Sequence, residues 1–208
     1  MLKTESVRYS YDGTETLSFP NIHLQVGENL LVLGESGVGK TTLIQILAGL
    51  LTPLSGTIVI NGTHLNELPS KELDQFRGKQ IGMVFQRPYF VRNLSIMENL
   101  LLSLHLSKNK PNKAYAFELL KKVGLADKAN KLPDQLSEGE QQRASIALAV
   151  IKRPSLILAD EPTASLDDTN CEAICAMLKE QATSNNAQLI IITHDHRLKR
   201  QFNNTITL

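Results

Sequence analysis

Four short stretches carry residues whose types and spacing suit phosphate chemistry. The first, GESGVGKTT at 34–42, fits the pattern G-x-x-x-x-G-K-[ST], with Gly34, Gly39, Lys40 and Thr41 at its fixed positions and Glu35, Ser36, Gly37 and Val38 between them. Glycines let the backbone turn its N–H groups inward around phosphate oxygens, at angles that residues with a Cβ resist. A helix opening near Lys40 adds the positive end of its dipole. Lys40 is placed to reach terminal phosphates, Thr41 to offer its hydroxyl to Mg²⁺, and Thr42 to support that shell. The apolar NLLVL before the loop and the helical TLIQILAGL after it supply the context that a chance match lacks, so a nucleoside triphosphate is the expected ligand.

The second stretch, SLILADEP, puts Asp160 and Glu161 at the end of an apolar strand, where the edge of a parallel sheet opens toward ligand. Asp160 suits a carboxylate that holds a water of the Mg²⁺. Glu161 suits a base that polarises water for in-line attack on the γ-phosphate. Taken alone, DEP is equally a strand stopped by charge and by Pro162. The third stretch follows QLIIIT with Thr193, His194, Asp195 and His196. There His194 fits a hydrogen bond to the γ-phosphate or an ordinary capping role; a metal held by the His-x-His pair is disfavoured, because no cysteine or clustered carboxylate accompanies it. His23, His64 and His105 lack such a setting and read as surface or packing residues. The fourth stretch, LSEGEQQR at 136–143, leads into the helical ASIALAVI, and Ser137-x-x-Glu140 has capping-box spacing.

These groups need elements to hold them. Runs at ENLLVL, GTIVING, KQIGMVF, SLILAD and QLIIIT read as strands, each closed by a residue that suits a loop. SLILAD and QLIIIT are almost continuously apolar, as parallel strands covered on both faces must be. Between Pro88 and Pro154 the periodicity becomes helical, with turn signals at KNKPN and KLPDQ, which predicts a helical lobe inserted into an α/β core. Length and a 42% hydrophobic content allow one substantial domain. With 22 basic against 21 acidic residues there is no bulk charge to attract nucleic acid or an anionic membrane. MLKTESVRYS carries no signal-peptide core and no stretch is long enough to span a bilayer, so a cytoplasmic chain is expected. Cys171 and Cys175 read as reduced, partly buried thiols.

The phosphate loop, Gln86 closing IGMVFQ, LSEGEQQR, LADEP, ASLD and ITHD occur in one order, with the helical lobe between the second and third. Together they resemble the ATP-binding cassette (ABC) ATPases over nearly the whole chain; VFQ, NLSIMENLLL and the EQQR ending are similar to the branch serving lipoprotein release, macrolide export and cell division. The resemblance implies a single domain over 1–208, with an α/β, P-loop NTPase (RecA-like) core of mainly parallel sheet at 1–87 and 155–208, an N-terminal antiparallel β region, and an α-helical subdomain at 88–154. It implies ATP and Mg²⁺ as ligands, with Thr41, Gln86 and, through water, Asp160 around the metal. Lys40, Gln86, Glu161 and His194 become the catalytic set. Tyr11 of YSYDG matches the aromatic that stacks on adenine, with Tyr9 as the fallback.

In that family two copies sandwich two ATP molecules head to tail, which makes Ser137 and Gly139 ligands in trans and Ser165, Leu166 and Asp167 the loop that crosses the interface. Glu138 stands where the family has glycine; pointing inward it would repel phosphate, pointing away it would be harmless. With no membrane span of its own, the chain is expected to power a separate transmembrane permease, peripheral on the cytoplasmic face of the membrane. No C-terminal regulatory domain is expected after FNNTITL. Two other readings are a non-transport ABC switch in the envelope or in cell division, and a small-molecule phosphotransferase, which would leave LSEGEQQR and ITHD without work.

Overall fold

The computed structural model describes residues 1–164 and 166–208. The chain runs β1 (Leu2–Tyr9), β2 (Leu17–Ser18), β3 (His23–Leu24), β4 (Asn29–Leu33), α1 (Lys40–Leu47), β5 (Ser55–Ile60), β6 (Thr63–His64) and α2 (Ser70–Gln80). It continues through β7 (Ile81–Val84), α3 (Ile96–Leu106), α4 (Lys113–Lys122), α5 (Glu138–Val150), β8 (Leu156–Asp160), α6 (Asp168–Ser184), β9 (Gln188–Thr193) and β10 (Asn204–Thr207).

The strands form two sheets, an antiparallel one built on β1 in the order β2-β1-β5-β6 with β3 also on β1, and a parallel one in the order β10-β4-β9-β8-β7. The inner parallel strands β4, β8 and β9 are largely apolar because both faces are covered, and alternation splits their side chains between two cores, whereas the edge strand β10 is polar and partly exposed. Leu30, Val32, Leu158, Ile190 and Ile192 face α1 and the antiparallel sheet, whose Leu2, Ile58 and Ile60 close that core. Leu31, Leu33, Ile157, Ala159, Leu189 and Ile191 face the other way, onto a core shared with α3, α4, α5 and α6. The helices between β7 and β8 are thus packed into one side of the sheet. Cys171 and Cys175 are buried free thiols in that core.

Local signals account for the element ends. Ser95 caps α3 and Ser137 caps α5, each through a capping box with the glutamate three residues on. Asn112 and Asp167 cap α4 and α6 with their side chains. Among the described residues, no helix is long and apolar enough to cross a membrane.

Candidate functional site

The buried strand β4 ends at Leu33, and the chain turns through 34–39 into α1. Gly39 is the N-cap of α1 with φ 97°, a left-handed backbone, and a Cβ there would also sit 3.1 Å from the Leu17 side chain. Lys40 is 8% exposed and folds back over the loop: its Nζ donates to Gly34 O at 2.9 Å and Glu35 O at 2.8 Å, and lies 3.4 Å from Glu161 Oε1. Neutral carbonyls are weaker partners for an ammonium than phosphate oxygens, so the lysine is held ready to exchange them.

Glu161 follows β8 with φ 47°, a left-handed conformation that costs a non-glycine residue of order 1 kcal/mol or more. That backbone aims its nearly buried carboxylate at the end of β9. There Thr193 Oγ1 donates to Oε2 at 2.7 Å, the His194 N–H donates to Oε1 at 3.1 Å, and His194 Nδ1 lies 2.9 Å from Oε1. Burial pushes the Glu161 carboxyl up, but the hydrogen bonds from His194 and Thr193 outweigh it and leave the group below the usual glutamate range. An ionised carboxylate only accepts, so His194 Nδ1 carries the proton and its other ring nitrogen, on a half-exposed side chain, is free for a ligand.

One residue earlier, Thr41 Oγ1 donates to Asp160 Oδ2 at 3.2 Å, while Asp160 Oδ1 is buried with no hydrogen-bond partner among the described residues. Burial pushes the Asp160 carboxyl up; the Thr41 hydrogen bond opposes this only in part, and the Glu161 charge adds to it. An orphaned buried oxygen beside a hydroxyl is a poor final state for a carboxylate and a good one for hard-cation or water coordination, so these oxygens fit Mg²⁺. Gln86 reaches the same place: it lines a cavity of about 560 Å³ together with Gly34, Glu35, Ser36, Lys40, Glu161, His194 and His196. Residues from four separate segments thus converge at the carboxyl ends of the parallel strands.

Tyr9 and Tyr11 meet edge to face, ring centroids 4.9 Å apart, but differ in burial. Tyr9 packs against the core beside α1, whereas Tyr11 is 68% exposed and its hydroxyl is 2.9 Å from Thr42 Oγ1, on the first turn of α1. Ser137 and Gly139 do not line the cavity within one chain. Glu140 accepts from Ser137 N at 2.8 Å and from Ser137 Oγ at 3.0 Å, and its other oxygen is 3.3 Å from Lys128 Nζ. The Ser137 N–H and hydroxyl lower the Glu140 carboxyl further into its charged form. Glu140 therefore serves its own helix, and Glu138 stands exposed at the first position of α5.

Several contacts of the site carry no sequence signal of their own. Thr193 ends an apolar strand and meets Glu161 only because β8 and β9 pair. Gln142, 5% exposed, donates to Pro162 O at 3.0 Å and so ties α5 to the turn after Glu161. Asp195 receives Arg197 Nε at 2.9 Å and NH2 at 2.7 Å, and Arg197 also pairs with Asp168 and donates to Leu166 O at 3.3 Å. This clamp joins the segment after His194 to the start of α6, capped by Asp167. Ser165 lies outside the described residues.

A family model described as "ABC transporter" matches residues 17–164. The lipoprotein-releasing system ATP-binding protein LolD of Shewanella denitrificans is 36% identical over 203 residues, 95% of this chain and 87% of the relative. LolD of Buchnera aphidicola subsp. Acyrthosiphon pisum is 38% identical over 192 residues, 91% of this chain and 83% of the relative. Among solved structures, a dimeric ATP-binding cassette in a post-hydrolysis state bound to ADP and Pi superimposes with a TM-score of 0.89 at 33% identity, covering 100% of this chain and 94% of the other. A cbiO1 chain from Clostridium perfringens, described as part of the ABC transporter complex cbiONQ, gives 0.84 at 27% identity over 99% and 83%.

Proposed function

The chain belongs to the ABC transporter family, and from that premise we propose that it is an ATP-hydrolysing subunit that drives a separate membrane partner by closing as a head-to-tail dimer around ATP. The observation that carries this reading is the single cluster of Lys40, Glu161 and His194, with Thr41 and Asp160 paired beside it at the same strand ends. Lys40 exchanges its loop carbonyls for the β- and γ-phosphates of ATP. That draws the ammonium away from Glu161 and leaves the carboxylate free to take a proton from the attacking water. Thr193 and the His194 backbone N–H keep the carboxylate aimed, while the outward ring nitrogen of His194 meets the γ-phosphate when protonated. Thr41, Gln86 and, through water, Asp160 would hold Mg²⁺. When bound, the ion neutralises charge on the phosphates.

In this reading Tyr11 stacks on adenine, Gly34 to Thr42 cradle the phosphates, and Ser137 and Gly139 of one copy complete the site of the other. Residues 1–87 and 155–208 form the nucleotide-binding core, and 88–154 form the lobe that passes closure to the permease. A LolD-like role, acting on lipoproteins at the membrane, is supported by identities of 36% and 38% to proteins of that name. The test is the solution mass of the Glu161→Gln protein by light scattering. Dimer formation only with ATP is expected. ATP binding by a persistent monomer would refute closure by this chain alone.

A further inference from the structure

At the head of α5, Ser137 spends its donors within its own chain. Its N–H donates to Glu140 Oε2 at 2.8 Å and its hydroxyl to the same oxygen at 3.0 Å, while the Glu140 N–H donates to the hydroxyl oxygen at 3.4 Å. A serine hydroxyl carries one proton, so in this arrangement it has none to offer a phosphate. The second carboxylate oxygen, Oε1, lies 3.3 Å from Lys128 Nζ. Lys128 sits in the connection between α4 and α5, and the other acid near it, Asp127 at 3.9 Å, is mostly exposed. The Ser137 N–H and hydroxyl, and after them Lys128, hold the Glu140 carboxyl below the usual glutamate range, so Glu140 is an anion at neutral pH.

In a closed dimer two groups compete for that one hydroxyl proton, the Glu140 carboxylate of the same chain and the γ-phosphate held by the other copy, and both only accept. We propose that Lys128 is a positioning residue for the dimer site: on closure it takes over the Glu140 carboxylate, so that the Ser137 hydroxyl turns to the phosphate of the other copy. The inference rests on the trans role proposed for Ser137 and adds the residue that releases it. The required change is small. Oε1 already faces the ammonium, and the Ser137 N–H keeps Oε2, so the cap of α5 persists while the hydroxyl rotates away. Lys128 also offsets the negative charge that Glu140 brings toward the γ-phosphate, which would otherwise face a carboxylate across the interface.

The experiment uses the full chain carrying Glu161→Gln, with its dimerisation on Mg-ATP followed by analytical ultracentrifugation. Adding Lys128→Met should weaken the ATP-dependent dimer about tenfold, because each dimer holds two such sites and each loses a few-fold. Lys128→Arg should keep most of the dimer. On a Glu140→Gln background, Lys128→Met should change the dimer constant by less than about twofold, since the amide leaves no charge to take over. An equal loss in both backgrounds would show that Lys128 acts on the phosphate directly and would overturn its action through Glu140. Undiminished dimerisation of the Lys128→Met protein would overturn the positioning role while leaving the dimer reading intact. A urea midpoint that fell along with the dimer constant would assign the loss to the folding of α5 and overturn the inference as well. Absence of an ATP-dependent dimer before Lys128 is altered would overturn the dimer reading, and this inference with it.

Discussion

Replacing Glu161 with glutamine preserves shape but inverts half of a hydrogen-bond pattern in which every partner donates: Thr193 Oγ1, the His194 N–H, His194 Nδ1 and Lys40. The new amide must turn its NH₂ toward one of them. The amide keeps its oxygen toward the His194 N–H, His194 Nδ1 and Lys40 and turns its NH₂ to Thr193, whose hydroxyl rotates to accept. ATP affinity is therefore retained, and it rises where removing a buried carboxylate relieves repulsion of the phosphates. Hydrolysis loses its base, worth about 10²–10⁴-fold, or roughly 3–5 kcal/mol of barrier. The assay is phosphate release at saturating Mg-ATP, paired with equilibrium dialysis of ATP on the same protein. Turnover within about threefold of the parent, an effect of well under 1 kcal/mol, would show that Glu161 moves no proton in the reaction. An affinity loss as large as the rate loss would place Glu161 in binding instead.

Lys40→Ala should weaken ATP binding at least about tenfold, because charge-assisted hydrogen bonds of about 1.5–3 kcal/mol lose their donor; isothermal titration reads this, and undiminished affinity would remove the lysine from the phosphate site. The Asp195 carboxyl is held down at about 2 by the hydrogen bonds of Arg197, against which burial works in part. From the ordinary 3.8 that gap is worth about 2 kcal/mol, trimmed to about 1–2 because Arg197 is 41% exposed. Its folded value lies below its unfolded one, so the contribution is complete above about pH 3.8 and fades toward pH 2. Asp195→Asn should thus lower urea stability by a constant amount from pH 7 to about pH 5; a penalty that varied across that range would point away from the ion pair. Gly82→Ala should cost about 1–3 kcal/mol in urea unfolding, since a Cβ there would lie 2.5 Å from Ala149 O, a backbone atom of α5; an unmoved midpoint would contradict that contact. For Lys152 the folded value of about 8 lies below the ordinary 10.5, so the unfolded chain binds the proton first and stability falls as pH drops from 10.5 through 8. Lys152→Met should remove this slope, worth up to about 3 kcal/mol, and persistence of the slope in the variant would assign it elsewhere.

How much of this was legible beforehand depended on whether the signal was local. The phosphate loop is a backbone device whose glycines and lysine are adjacent in sequence, and Gly39 holds the left-handed angle that its place demands. Caps are equally local: Ser137 and Glu140 sit one helical turn apart and find each other. β8 and β9 announced themselves because both of their faces are covered. The helix α2, in contrast, buries no residue completely, and its only large apolar side chains are Leu73 and Phe76, too few for a period to stand out. The strand β1 hid for another reason. Its register shifts between Glu5 and Arg8, with Ser6 at φ 51°, so the inward residues Leu2, Thr4 and Val7 break the two-residue alternation.

The sequence by itself determined the chemistry on offer: which residues can hold phosphate, ligate a hard cation or take a proton, and which strand ends present them. Only the tertiary structure decided the partners of those groups, because they are set by pairing between distant segments. Thr193 and His194 meet Glu161 through the β8–β9 register, and among the described residues Asp160 keeps one oxygen unpartnered beside Thr41 and Lys152, just past α5, makes no ion pair. Residue type sets what a side chain can do; burial and neighbours, which no local window contains, set which of those things it does.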